Sequence, residues 1–177
     1  MMYICLKDED DRRNLLAWWH SLNEKRGDRA RLRRAETPDD VLLSEPFFHF
    51  LQRMSEDWAS TYRLQSSALV AATLAHVKNP DDKSFAEQMA MPKEKGGKKP
   101  KVTELRFEQL QKSRNPEEFF RRLRRAVHLL NGTVNVLSLS DSILQWMKEY
   151  QYGVDRMPSK RLAVSWAADY YKNLPKS

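Results

Sequence analysis

The sequence predicts an all-α fold, and three observations carry that expectation. Glycine is scarce, with five in 177 residues. Long stretches rich in Ala, Leu, Gln and Arg, all good helix formers, dominate the chain. Alternating strand-like runs are hard to find, whereas apolar residues recur at helical spacing. The length suits one compact domain or two small helical lobes packed together. The segments sum to roughly seven to nine helices.

Asp8 to Asn23 reads as the first helix, because Leu15, Leu16, Trp18, Trp19 and Leu22 fall on one side. The Trp pair reads as core. Gly27 is expected to break the chain, leaving Asp28 to cap a short helix from Arg29 to Ala35. Thr37-Pro38-Asp39 restarts it, with Pro38 suited to a first helical turn. Val41 to Leu43 leads through Ser44-Glu45-Pro46 into a helix from Phe47 to Met54, whose Phe47, Phe48 and Phe50 read as core. Asp57 to Val77 reads as one long helix. Its Ala68, Ala71, Ala72 and Ala75 point to close helix packing. Asn79-Pro80-Asp81-Asp82 ends it, and a short helix from Ser84 to Met91 comes next.

The stretch PKEKGGKKPK, residues 92–101, holds five lysines and a Gly pair. It reads as a flexible basic loop between an N-terminal half, 1–91, and a C-terminal half, 102–177. Beyond it, Thr103 is an N-cap for a helix reaching Lys112. Asn115 caps the next helix, Pro116 takes its first turn, and Glu117 and Glu118 sit at the positive end of its dipole. That helix runs to Leu130, with Asn131-Gly132 as its stop. Ser140–Tyr150 and Ser159–Tyr171 complete the set.

The formal net charge is +7, which favours an acidic partner such as nucleic acid or an anionic membrane. The charge is not spread evenly. From Pro92 to Asn135 there are twelve Lys and Arg against five Glu, and the remainder balances at 19 and 19. The whole excess sits in one block.

Within and outside that block the pentapeptide R-L-R-R-A occurs twice, at Arg31–Ala35 and Arg122–Ala126. On a wheel starting at Phe119, the residues Phe120, Leu123, Ala126, Val127 and Leu130 lie between about −20° and 100°, whereas Arg121, Arg124, Arg125 and His128 lie between about 140° and 240°. Arg122 and Leu129 take one flank. Solvated helix faces usually mix charge signs, because like charges four residues apart repel. Arg121–Arg125 and Arg124–His128 run against that habit, and a phosphate-binding face would explain it. The first copy is a knot of five arginines in ten residues: Arg26, Arg29, Arg31, Arg33 and Arg34. Arginine rather than lysine suits bidentate phosphate contacts. Glu36, Asp39 and Asp40 are the nearby acids that could absorb part of this charge.

Nothing in the sequence points to catalysis, a metal or a cofactor. His20, His49, His76 and His128 are scattered, and Asp39-Asp40 and Asp81-Asp82 read as helix-start and turn residues beside prolines. There is no phosphate-binding glycine loop. Cys5 stands alone, without an evident base, and suits a reducing compartment. MMYICLKDED has no signal-peptide pattern, and no apolar run approaches a membrane span, so the expected location is the cytoplasm and no membrane partner is expected. A sequence-specific helical DNA-binding regulator is the alternative. The basic face of 119–130 carries no Asn or Gln for base edges, which favours backbone contact. A third class is a scaffold subunit whose basic face meets acidic protein surfaces.

Several segments, in order, resemble the CasB family, the small subunit of the type I-E CRISPR surveillance complex Cascade. They are Trp18-Trp19 with Leu22, Gly27–Ala35, Pro46–Phe48, Val102–Leu110, Leu123–Leu130 and Leu139–Trp146. The resemblance covers most of the chain, from Leu15 to Tyr150. It implies two packed helical bundles without nuclease activity. It also implies assembly as a pair beside the backbone and large subunits, with guide RNA and target DNA as partners. The basic surface would then hold nucleic acid of the R-loop, especially the displaced strand. Carried over by position, the basic residues of the family motifs are Arg29, Arg33, Arg34, Arg106, Arg124 and Arg125. Arg26, Arg31, Arg121 and the loop lysines Lys98, Lys99 and Lys101 rest on the charge argument.

Overall fold

The computed structural model describes residues 3–176. Among them are ten α-helices: α1 (Glu9–Ser21), α2 (Arg26–Arg34), α3 (Pro38–Leu42), α4 (Glu45–Arg53), α5 (Leu64–Leu74), α6 (Phe85–Ala90), α7 (Glu104–Gln111), α8 (Pro116–Leu129), α9 (Val136–Tyr152) and α10 (Leu162–Asn173). The only strands among the described residues are β1 (Asn79–Pro80) and β2 (Thr133–Val134), which pair in parallel. The all-α expectation holds.

Helix starts obey the capping chemistry written in the sequence. Thr37 and Asp40 form a capping box at α3. Asn115 Oδ1 accepts from the Glu118 amide at 2.9 Å, and Thr103 caps α7 through the Arg106 amide. α5 is the central element, with every side chain from Ser66 to Leu74 buried. It packs against α3, α9, α2, α4 and α8, while α6 packs against α10. The apolar cluster runs without interruption from Leu6 to Tyr170.

Several boundaries differ from the expectation. α2 begins at Arg26, so Gly27 lies inside it and Asp28 is no cap. The Asp28 carboxylate meets His49 Nδ1 on α4 at 2.8 Å instead. Residues 57–77 are not one helix. Glu56–Ala59 is a 3₁₀ turn, and the chain re-enters helix at Leu64. The break lets Trp58 bury fully, edge-on to Phe50, with the Arg63 guanidinium 5.0 Å from its ring centroid. α9 starts early because Asn135 Oδ1 accepts from the Ser138 amide at 3.0 Å. α10 starts late because Pro158–Lys160 forms a 3₁₀ turn. Phe48 is 57% exposed rather than core. Within the 92–101 loop, Pro92 and Pro100 form an antiparallel bridge, and the Lys93 amide donates to Lys99 O at 2.8 Å.

Two ties hold distant parts of the chain together. Asn131 and Gly132 adopt left-handed φ values of 57° and 71°, turning the chain sharply out of α8. The Gly132 carbonyl then accepts from the amides of Lys78 and Asn79, at 2.7 and 3.1 Å. A Cβ at Gly132 would come within 3.3 Å of Lys78 Cγ. This fastens the end of α5 to the end of α8. The second tie is Asp141 on α9, whose buried carboxylate accepts from the amides of Ile4, Cys5 and Leu6 at 3.1, 2.7 and 2.7 Å. Burial, and then the Asp141 charge, pushes the Cys5 thiol pKa up, away from nucleophilic reactivity.

Candidate nucleic-acid interface

α8 behaves as its wheel demands. Phe119, Phe120, Leu123, Ala126 and Val127 are buried, while Arg121, Arg125 and His128 are exposed. The flank residue Arg122 turns inward. Its guanidinium meets Glu118 at 2.8 Å, one helical turn away, and donates to the Gln109 carbonyl on α7.

Arg124 does something the wheel does not anticipate. Nη1 donates to the Ala35 carbonyl at 3.0 Å, and the guanidinium carbon sits 4.7 Å from the Phe120 ring centroid. Ala35 closes both α2 and the first R-L-R-R-A segment. The second copy of the motif therefore docks on the end of the first, and the two share one junction.

On α2, Leu32 is buried and the arginines divide by direction. Arg31 faces α4, with Glu45 at 3.8 Å. Arg29 is half-buried, donating from Nη1 to Asn23 Oδ1 at 3.2 Å. Burial, and behind it the charge of Arg33, lowers the Arg29 pKa. Arg26, Arg33 and Arg34 are exposed. Of the nearby acids, Asp40 is engaged elsewhere. Asp40 accepts from the Glu36 and Thr37 amides, which hold its carboxyl below the usual range. Among the described residues, no ion pair joins Glu36, Asp39 or Asp40 to an arginine of α2.

His76 lies just past α5. Its pKa is lowered to about 4, by burial first and then by Arg33 and Arg124. It is neutral at pH 7, with Nε2 buried and unpartnered. No spacing rule links His76 to arginines about fifty residues away on either side, so the sequence offered no signal for it. The inward turn of Arg122 did have one: Glu118 stands four residues before it on the same helix.

The remaining cations fall into separate places. Arg106 on α7 and Arg125 on α8 line one shallow groove, with Arg122 between the helices. Lys98 and Lys99 are exposed and Lys101 is half-buried. Their loop is bonded to residues 89–91, through Val102 N to Met89 O and Lys101 N to Met91 O. No hydrogen bond or ion pair among the described residues joins that loop to either motif. Arg124 is thus bonded to the end of α2, Arg106 and Arg125 line a separate groove with Arg122, and no bond joins the loop lysines to either.

Among the described residues, no group of three or more His, Cys, Asp or Glu could hold a metal ion. None of the described helices is long and apolar enough to cross a membrane. A family model described as CRISPR-associated protein Cse2 matches residues 28–171. No curated protein and no solved structure matches the chain. The matched span contains both R-L-R-R-A segments and every helix from α3 to α9. The chain belongs to the Cse2 (CasB) family, the small subunits of the type I-E CRISPR complex Cascade.

Proposed function

We propose that this subunit is non-catalytic and holds nucleic acid of the R-loop, above all the displaced DNA strand, through the joined α2–α8 surface. It would do so as one of a pair, beside the backbone and large subunits, the guide RNA and the target DNA. The observation that carries the reading is the hydrogen bond from Arg124 to Ala35. It brings two arginine-rich segments, about ninety residues apart, into contact, and the exposed Arg33, Arg34, Arg121 and Arg125 have no carboxylate partner among the described residues. Strand exchange in an R-loop is nearly balanced energetically, so modest backbone contacts can tip it. Exposed arginines suit that work, because phosphate contacts are independent of sequence and release counterions.

The test is R-loop formation by the assembled complex on target duplex across a salt series. Wild type is compared with Arg34→Glu/Arg125→Glu, two exposed residues outside the Arg124 strut. The expected result is weaker R-loop binding, with the slope of log affinity against log salt reduced by roughly one to two. Unchanged R-loops in an assembled mutant complex would overturn the reading and favour a scaffold role. Strong preference of the subunit for one duplex sequence would favour the regulator alternative.

A further inference from the structure

Between the N-terminal segment, the end of α9 and the turn before α10 lies a cavity of about 500 Å³, the size of a small-molecule site. Three lysines line it from three separate parts of the chain: Lys7 ahead of α1, Lys148 on α9 and Lys160 in the 3₁₀ turn. All three are exposed, and no ion pair among the described residues engages a lysine. Two acids share the lining, Glu149 and Asp155. Each already accepts from a backbone amide, Glu149 Oε2 from Leu162 at 3.0 Å and Asp155 Oδ1 from Met157 at 2.8 Å. Three lysines against two acids leave the lining net positive.

The walls stand without help from the lysine ammonium groups. Asp141 pins the amides of residues 4–6, and Arg12 Nη1 donates to the Leu6 and Lys7 carbonyls at 2.8 and 2.6 Å. Across the cavity, Arg161 donates to the Asp155 and Arg156 carbonyls at 2.8 and 3.2 Å, and Gln145 Nε2 donates to the Lys160 carbonyl at 2.9 Å. The site is thus pre-formed, and its three ammonium groups are left over from the architecture. Gln145 lines the same cavity and is 4% exposed. Its Nε2 is shared between Glu149 and the Lys160 carbonyl, while its Oε1 has no hydrogen-bond partner among the described residues. A buried acceptor without a donor calls for one from outside. Ser159 adds a hydroxyl, and Tyr3, Ile4 and Val154 add apolar wall.

We propose that this cavity binds a free phosphate monoester of nucleotide or sugar-phosphate size, its phosphate held by Lys7, Lys148 and Lys160 and a hydroxyl or amino group donating to Gln145 Oε1. Ammonium groups converging from separate segments suit a doubly charged anion, and lysine holds phosphate as a point charge. The apolar wall and the unmet acceptor call for an organic body, which inorganic phosphate lacks. The cavity shares no residue with the α2 and α8 arginines, so the proposal does not rest on the nucleic-acid reading.

The experiment is calorimetric titration of the full chain with adenosine 5′-monophosphate, glucose 6-phosphate, adenosine and inorganic phosphate in turn. At least one of the two esters is expected to bind, and more tightly than inorganic phosphate or adenosine. The better ester identifies the organic body. Lys148→Ala/Lys160→Ala and Lys7→Ala/Lys148→Ala, which remove exposed side chains only, are each expected to weaken that binding roughly tenfold or more at unchanged melting temperature. Silence of both esters at about 1 mM, or wild-type affinity in both lysine variants, would overturn the site. Inorganic phosphate binding as tightly as the esters would reduce it to an unspecific cluster of charge. Ester binding lost in Arg34→Glu/Arg125→Glu instead would move it to the basic surface. A single-stranded oligonucleotide that binds through these lysines while neither ester does would assign them to nucleic acid and overturn the small-molecule site.

Discussion

Arg124 of one R-L-R-R-A segment caps the other, donating from Nη1 to the Ala35 carbonyl at 3.0 Å. The last carbonyls of a helix have no partner within it, and a guanidinium arriving from a neighbouring helix satisfies one of them. The motif therefore combines two duties. Arg124 is a strut between α2 and α8, and its neighbours carry charge to the surface.

Removing the strut and removing surface charge should have different consequences for stability. Arg124→Ala is expected to destabilise the full chain by about 1–2 kcal/mol, through the unmet Ala35 carbonyl and the lost Phe120 contact. Arg125→Ala should stay within about 0.5 kcal/mol of wild type. Urea denaturation of both variants measures this, and equal effects would remove the strut from the account.

His76 should make the fold acid-sensitive. Its folded pKa, about 4, lies below the ordinary value of 6.5. The unfolded chain therefore binds the extra proton first as pH falls. The stabilisation is complete above pH 6.5 and is lost between 6.5 and 4. Allowing for partial solvent screening, the loss is on the order of 1–2 kcal/mol. His76→Gln should flatten the stability profile in that window. A profile of unchanged slope would mean that another group sets it.

Arg121 and Arg122 are adjacent but not equivalent. Arg122→Glu places a like charge against the nearly buried Glu118 and should destabilise by about 3 kcal/mol or more. Arg121→Glu should leave the melting temperature nearly unchanged. Thermal unfolding of the pair decides it, and similar melting temperatures would contradict the inward placement of Arg122.

Asp141→Ala leaves three amides of the N-terminal segment without their shared acceptor, at an expected loss of about 1–3 kcal/mol. Amide hydrogen exchange at residues 4–6 should accelerate far more than exchange in α5. Protection that persists at those amides would show that the carboxylate is not what holds them.

The helices and their caps were legible because they are local. Asn115 and Thr103 sit beside the amides they cap, and the core face of α8 comes from spacing alone. What escaped was set by partners far along the chain. Asp28 looked like a cap, but His49, 21 residues on, takes its carboxylate. Phe48 looked like core, but α4 turns it outward while Phe47 and Phe50 face in. Trp58 gave no local sign that burying it would break a helix. The composition of α8 announced a basic surface. That one of its arginines would reach across to α2 depends on how α5 and the Asn131-Gly132 turn bring the helices together.

The strand pair between Asn79–Pro80 and Thr133–Val134 joins segments from opposite sides of the lysine loop, as do the α6–α10 and α5–α9 packings. The covalent link through Gly96-Gly97 is therefore redundant with the non-covalent ties. A backbone nick there severs none of them, and the two fragments remain complementary pieces of one fold. The loop could thus be opened, or rejoined in a circularly permuted order, without dismantling the surface that α2 and α8 share.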